Sequence, residues 1–83
     1  MMYVVYGTNS CVYCDRAKEL LNKESVDYDV IDVNEDERAQ EMFRSRTLRT
    51  VPQIFIEDDD GNEVEHIGGF DQLCEHFGHL KQC

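Results

Sequence analysis

The sequence predicts a small α/β fold of order β-α-β-α-β-β-α, with a mixed four-stranded sheet flanked by three helices on both of its faces. Three observations predict it. Short apolar runs rich in β-branched residues alternate with segments of helical spacing, the pattern of a parallel βαβ unit with a right-handed crossover. Two later runs are separated by an acidic Asp-Gly turn, the mark of an antiparallel hairpin. A glycine pair then opens a final amphipathic segment.

Taken in order, Met2-Tyr3-Val4-Val5-Tyr6 is a buried first strand. Gly7-Thr8-Asn9-Ser10 is turn chemistry, and Asn9 or Ser10 can cap the helix that follows. Ala17, Leu20 and Leu21 then recur at helical spacing among charged residues. Tyr28-Asp29-Val30-Ile31-Asp32-Val33 is the second strand, introduced by Ser25-Val26-Asp27. Asn34 is placed to cap the second helix, where Glu35, Asp36 and Glu37 complement the positive end of the dipole. That helix runs to about Arg46, with Ala39, Met42 and Phe43 as its inner face. Val51-Pro52-Gln53-Ile54-Phe55-Ile56 is a third strand starting at the only proline. Glu57-Asp58-Asp59-Asp60-Gly61-Asn62 forms a solvated hairpin tip, and Glu63-Val64-Glu65-His66-Ile67 returns with period-two alternation, so one face is expected to be wet. After Gly68-Gly69, the residues Phe70, Leu73, Phe77 and Leu80 mark the last helix, with Cys74 beside its apolar stripe as a small core residue.

Eighty-three residues suit one domain, 1–83, with a core just large enough to fold alone. The first residues lack the basic start of a signal peptide, and no apolar run approaches the roughly 20 residues that span a bilayer. A membrane is therefore not an expected partner. Four cysteines without secretory context suggest a reducing cytoplasm and not a disulfide framework. A net charge of −10 disfavours nucleic acid, whose phosphates need a basic surface. From Arg38 to Gln53, however, four arginines face the single acid Glu41, a local +3 that leaves −13 on the rest. Such an island suits a small anionic ligand.

Cys11-Val12-Tyr13-Cys14 lies where the first strand ends and the first helix begins. A thiol there meets unpaired N–H groups and the positive end of the helix dipole, which stabilise its thiolate. The second cysteine follows one turn later on the same face and can close a disulfide with the first. This is the arrangement of a thiol–disulfide exchange site. Cys11, nearest the helix terminus, is the expected nucleophile, and Cys14 the more buried resolving thiol. Asp15 works against the thiolate. His66, His76 and His79 share no metal-ligand spacing with the cysteines, so no metal is expected, and terminal Cys83 is expected to be exposed.

Over essentially its whole length the chain resembles a glutaredoxin, a thioredoxin-like protein. The resemblance rests on Cys11-Val12-Tyr13-Cys14 after the first strand, Thr50-Val51-Pro52 before the third, and Gly68-Gly69-Phe70-Asp71 opening the last helix. Short loops and the Val-Tyr pair between the cysteines are most similar to the small glutaredoxins of T4-like bacteriophages. The chain departs from the family at Thr8, where a lysine is frequent, and at Val12, where a proline is.

The resemblance implies a glutathione-dependent dithiol oxidoreductase, monomeric, with no permanently bound cofactor and glutathione as co-substrate. It implies disulfide-containing protein substrates, ribonucleotide reductase among them. It also implies a cis Val51–Pro52 bond facing the cysteines, leaving the Val51 backbone to pair with an extended peptide. Tyr13 would form one wall of the cleft. Gly69 and the Phe70 and Asp71 N–H groups would receive the γ-glutamyl end of glutathione, with Asp71 taking its amino group. Arg49, beside Thr50, and Arg46 would meet the glycyl carboxylate. The alternative from a different class is a scaffold in which Cys11 of two subunits and two glutathiones ligate a [2Fe–2S] cluster.

Overall fold

Val4 and Val5 are consecutive, point to opposite sides of their strand, and are only 3% and 0% exposed. Both faces of β1 (Met2–Gly7) must therefore be covered, which makes it a central strand. The computed structural model, which describes residues 1–78, has β1 paired in parallel with β2 (Tyr28–Asp32) and antiparallel with β3 (Gln53–Glu57). An antiparallel β4 (Glu63–Gly68) completes the order β2-β1-β3-β4. Three helices flank this sheet: α1 (Val12–Lys23), α2 (Glu37–Ser45) and α3 (Phe70–His76). The expected element order and mixed sheet are thus present.

The main core lies between the sheet and the α1/α3 pair. Val5 and Ile54 meet Ala17, Leu20, Leu21, Leu73 and Cys74 there, with Tyr3, Val26, Ile67 and Phe77 packed around them. On the opposite face Tyr6 stacks on Phe43 of α2 at 6.1 Å and leans on Phe55 at 5.4 Å. The two valines of β1 thus divide between two aromatic-edged layers.

Several boundaries differ from the sequence reading, each for a local reason. Neither Asn9 nor Ser10 caps α1; Cys11 does, its Sγ accepting the Cys14 N–H at 3.0 Å. Asn34 does not cap α2, because residues 32–35 close a turn in which Asp32 Oδ1 accepts the Asn34 N–H at 2.8 Å. The cap passes to Asp36, which accepts from Ala39 N at 2.8 Å. β3 opens at Gln53, one residue past the proline, which has no N–H for the ladder. In β4 exposure is not confined to one face: residues 63 to 66 are all exposed, Val64 included, because this strand is the sheet edge. Leu80, His79 and Cys83 lie outside the described residues.

Gly7 ends β1 under the first turn of α1. A Cβ built there would come within 2.7 Å of Cys14 Sγ and 3.2 Å of its Cβ, closer than real contacts allow. Only a residue without a side chain lets the helix settle onto the strand end. Gly7→Ala is expected to cost about 1–3 kcal/mol by overpacking, read as a lower midpoint in urea unfolding. An unchanged midpoint would mean that the first turn of α1 yields freely.

Burial raises the Tyr6 phenol above its usual 10.0, helped by Glu57, Asp36 and Glu63 and opposed by Arg46. The folded state therefore holds this proton more tightly than the unfolded chain. The resulting stability is complete below the unfolded value of 10.0 and is lost as pH rises toward the higher folded value. Thermal unfolding across alkaline pH should show a steeper decline for the parent than for Tyr6→Phe; parallel curves would contradict it.

Candidate active site

The α1 N-terminus is aimed at the end of the sheet where the loop before β3 and the start of α3 converge. Cys11, half-buried, takes the extended N-cap conformation, and Cys14 sits one turn in at 2% exposure. Their Cα atoms are 5.2 Å apart and the sulfurs form a disulfide. The outer sulfur receives the Cys14 N–H at 3.0 Å, and an N–H aimed at a sulfur favours a thiolate over a thiol. Of the two sulfurs that of Cys14 is the more deeply buried, as its place inside the first turn led one to expect. Asp15, whose charge opposes that thiolate, is itself paired with Lys18 at 3.2 Å.

On the other side of Cys11 its Sγ lies 3.7 Å from the Val51 carbonyl oxygen. The Val51–Pro52 bond is cis, as the resemblance implied. Thr50, Val51 and Pro52 form one wall of a cleft of about 300 Å³, and Gly69, Phe70, Asp71 and Gln72 form another. Tyr13 lines it from α1, its ring 5.8 Å from that of Phe70. The Arg16 guanidinium lies over the Tyr13 ring at 5.2 Å and helps fix this half-exposed aromatic. At Gly69 a Cβ would lie 3.3 Å from Gln72 Oε1 and in ordinary contact, 3.6 Å, with the Pro52 carbonyl.

Seven of the eight residues expected around a ligand come together here: Tyr13, Thr50, Val51, Pro52, Gly69, Phe70 and Asp71. Arg49 is exposed and does not line the cleft, although it adjoins Thr50. Arg46 is held elsewhere, bonded to Glu63 at 2.6 Å and lying 5.4 Å over the Phe55 ring. The basic island of the sequence is thus divided by the fold, with Arg44 also tied to Glu41 at 2.6 Å. Of the described histidines, His66 bonds Gln53 and His76 bonds the Tyr3 hydroxyl.

Two site residues escaped the sequence reading. Gln72 lines the cleft and its Oε1 accepts the Gly69 N–H at 3.0 Å. A glutamine three residues past a helix-capping glycine was the available signal. Gly7 carried no such signal, because its contact with Cys14 is tertiary.

A glutaredoxin family model matches residues 3–60. Glutaredoxin 1 of Rickettsia prowazekii is 38% identical, covering 88% of this chain and 86% of its own. The glutaredoxin of Enterobacteria phage T4 is 36% identical over 92% of this chain and 99% of its own, in line with the phage resemblance. The crystal structure of a buckwheat glutaredoxin–glutathione complex superposes with a TM-score of 0.67 at 28% identity, covering 94% of this chain and 71% of that one. With the Cys11–Cys14 pair at the head of α1 in a thioredoxin-like fold, the chain belongs to the glutaredoxin family of thiol–disulfide oxidoreductases.

Proposed function

We propose that this protein is a glutathione-dependent dithiol oxidoreductase that reduces protein disulfides and glutathione mixed disulfides. The observation that carries this reading is the cleft of about 300 Å³ beside Cys11, walled by the Thr50–Pro52 and Gly69–Gln72 segments and by Tyr13. It has the size and chemistry for a short extended peptide lying across the nucleophile. The buckwheat relative, solved with glutathione, supports the choice of peptide.

In the proposed reaction the Cys11 thiolate attacks one sulfur of a substrate disulfide, and the other sulfur leaves as a thiolate. Cys14, deprotonated in its turn, attacks the Cys11 sulfur; the second substrate thiol leaves and the protein disulfide closes. Two electrons have passed to the substrate. One glutathione thiolate then opens the disulfide at Cys11, and a second displaces the bound glutathione as glutathione disulfide, returning the protein to the dithiol. Ribonucleotide reductase, which is re-reduced after each turnover, is one substrate that the family resemblance suggests, and a reducing cytoplasm is the matching compartment.

Cys11→Ser should abolish glutathione-dependent reduction of a small mixed disulfide, and full activity in that variant would refute the scheme. Cys14→Ser should instead trap the mixed disulfide with a protein substrate, visible as an adduct by intact mass.

Of the two arginines expected to meet the glycyl carboxylate, Arg49, exposed beside Thr50, is the one not held in an ion pair among the described residues, and it is assigned that role. An exposed contact of that kind is worth about 1 kcal/mol or less. Arg49→Glu should therefore weaken turnover of glutathione mixed disulfides several-fold, and turnover of a neutral disulfide should be unchanged. Equal losses on both substrates would remove Arg49 from the anion site.

A further inference from the structure

We infer that Gln53 and His66 are positioning residues for the Thr50–Val51 wall that faces Cys11. Among the described residues Gln53 is the one buried polar side chain, 7% exposed at the start of a strand whose next three residues are apolar and buried. Burying an amide is unfavourable unless every polar atom finds a partner. Gln53 meets that condition: its Nε2 donates to the Thr50 carbonyl and to Thr50 Oγ1, both at 3.1 Å. Its Oε1 accepts from His66 Nε2 at 2.9 Å.

Thr50 and Val51 precede β3, whose pairing with β1 stops at Gln53 opposite Tyr6, so no strand ladder holds them. The glutamine amide supplies in side-chain form the constraint that the ladder does not. His66 in turn has little freedom. Its ring lies flat on Phe55, with centroids 4.1 Å apart and planes 6° from parallel. The register irregularity that sets Gly68 opposite Ile54 and His66 opposite Phe55 brings it there. With the Gln53 Nε2 turned to Thr50, its Oε1 must accept, so the His66 Nε2 carries the proton.

The chain of contacts therefore runs from an edge strand through a buried amide to the wall whose Val51 carbonyl lies 3.7 Å from Cys11 Sγ. A peptide disulfide laid along that wall needs it in register; a small disulfide without a peptide does not. The role thus belongs to substrate binding and leaves the sulfur chemistry alone. It requires thiol–disulfide exchange at Cys11 but not glutathione as reductant.

The test is single-turnover oxidation of the reduced protein, without glutathione, by a short cysteine peptide blocked as its mercaptoethanol mixed disulfide. Hydroxyethyl disulfide serves as the small comparison. Gln53→Leu should raise the half-saturating peptide concentration about tenfold, and His66→Phe, which keeps the ring on Phe55, about threefold, as expected for one or two lost hydrogen bonds. The limiting rate and the reaction with hydroxyethyl disulfide should not change. His66→Gln, which restores a donor, should recover most of the loss. Half-saturation unchanged in His66→Phe, or a parallel loss on both disulfides, would overturn the proposal. If Gln53→Leu does not fold, the two His66 variants decide the question alone.

Discussion

Where β1 runs out beneath the first turn of α1, a glycine and a cysteine sulfur share a space that admits no further atom. That close approach fixes the height of α1 above the sheet, and through it the position of everything at the helix head. Cys14 is pinned in the core side of the turn, so Cys11 one turn earlier is left at the rim, capping the helix with its own sulfur. The core behind it, Val5 and Ile54 against Ala17, Leu20, Leu21 and Leu73, holds the helix in that place. Burial of such side chains is worth about 1.5–3 kcal/mol each, far more than any exposed ion pair in the molecule. Packing therefore sets the geometry and the sulfur chemistry inherits it.

Electrostatics acts locally. The protein carries −10, and three of its cations, Lys18, Arg44 and Arg46, sit in ion pairs at 3.2, 2.6 and 2.6 Å. Exposed pairs of this kind contribute little to stability, about 0–1 kcal/mol each. Their effect is to take cations out of use for ligands. Lys18 moderates the one acid in the first turn of α1, whereas Arg46 faces β4 and Phe55 instead of the cleft. The cations nearest the site that are not in ion pairs among the described residues are Arg16, stacked on Tyr13, and Arg49, next to Thr50.

The cleft is built from three segments far apart in sequence, each held by a different device. Tyr13 rides on α1, between Phe70 and Arg16. The Thr50–Pro52 segment lies outside the strand ladder and is tied down by the Gln53 amide. Gly69 and its neighbours are set by the Gln72 carbonyl, which closes the start of α3.

By itself the sequence determined the element order, the hairpin and the placing of the cysteine pair at the head of the first helix. These depend on short-range signals: apolar periodicity, turn residues, and two thiols one helical turn apart. The cap of α2 was legible only to within two residues, because Asn34 and Asp36 are equally good caps in isolation. Asp32 settled the matter by drawing Asn34 into the preceding turn. The tertiary structure decided what periodicity does not encode. It separated Arg46 from Arg49, although only two residues lie between them, because a helix end sends neighbouring side chains in different directions. It made Gly7 a steric necessity through a residue seven positions away, and it brought Gln72 into the cleft. It also joined His66 to Thr50 through Gln53, since a register irregularity between two strands fixes which side chains meet.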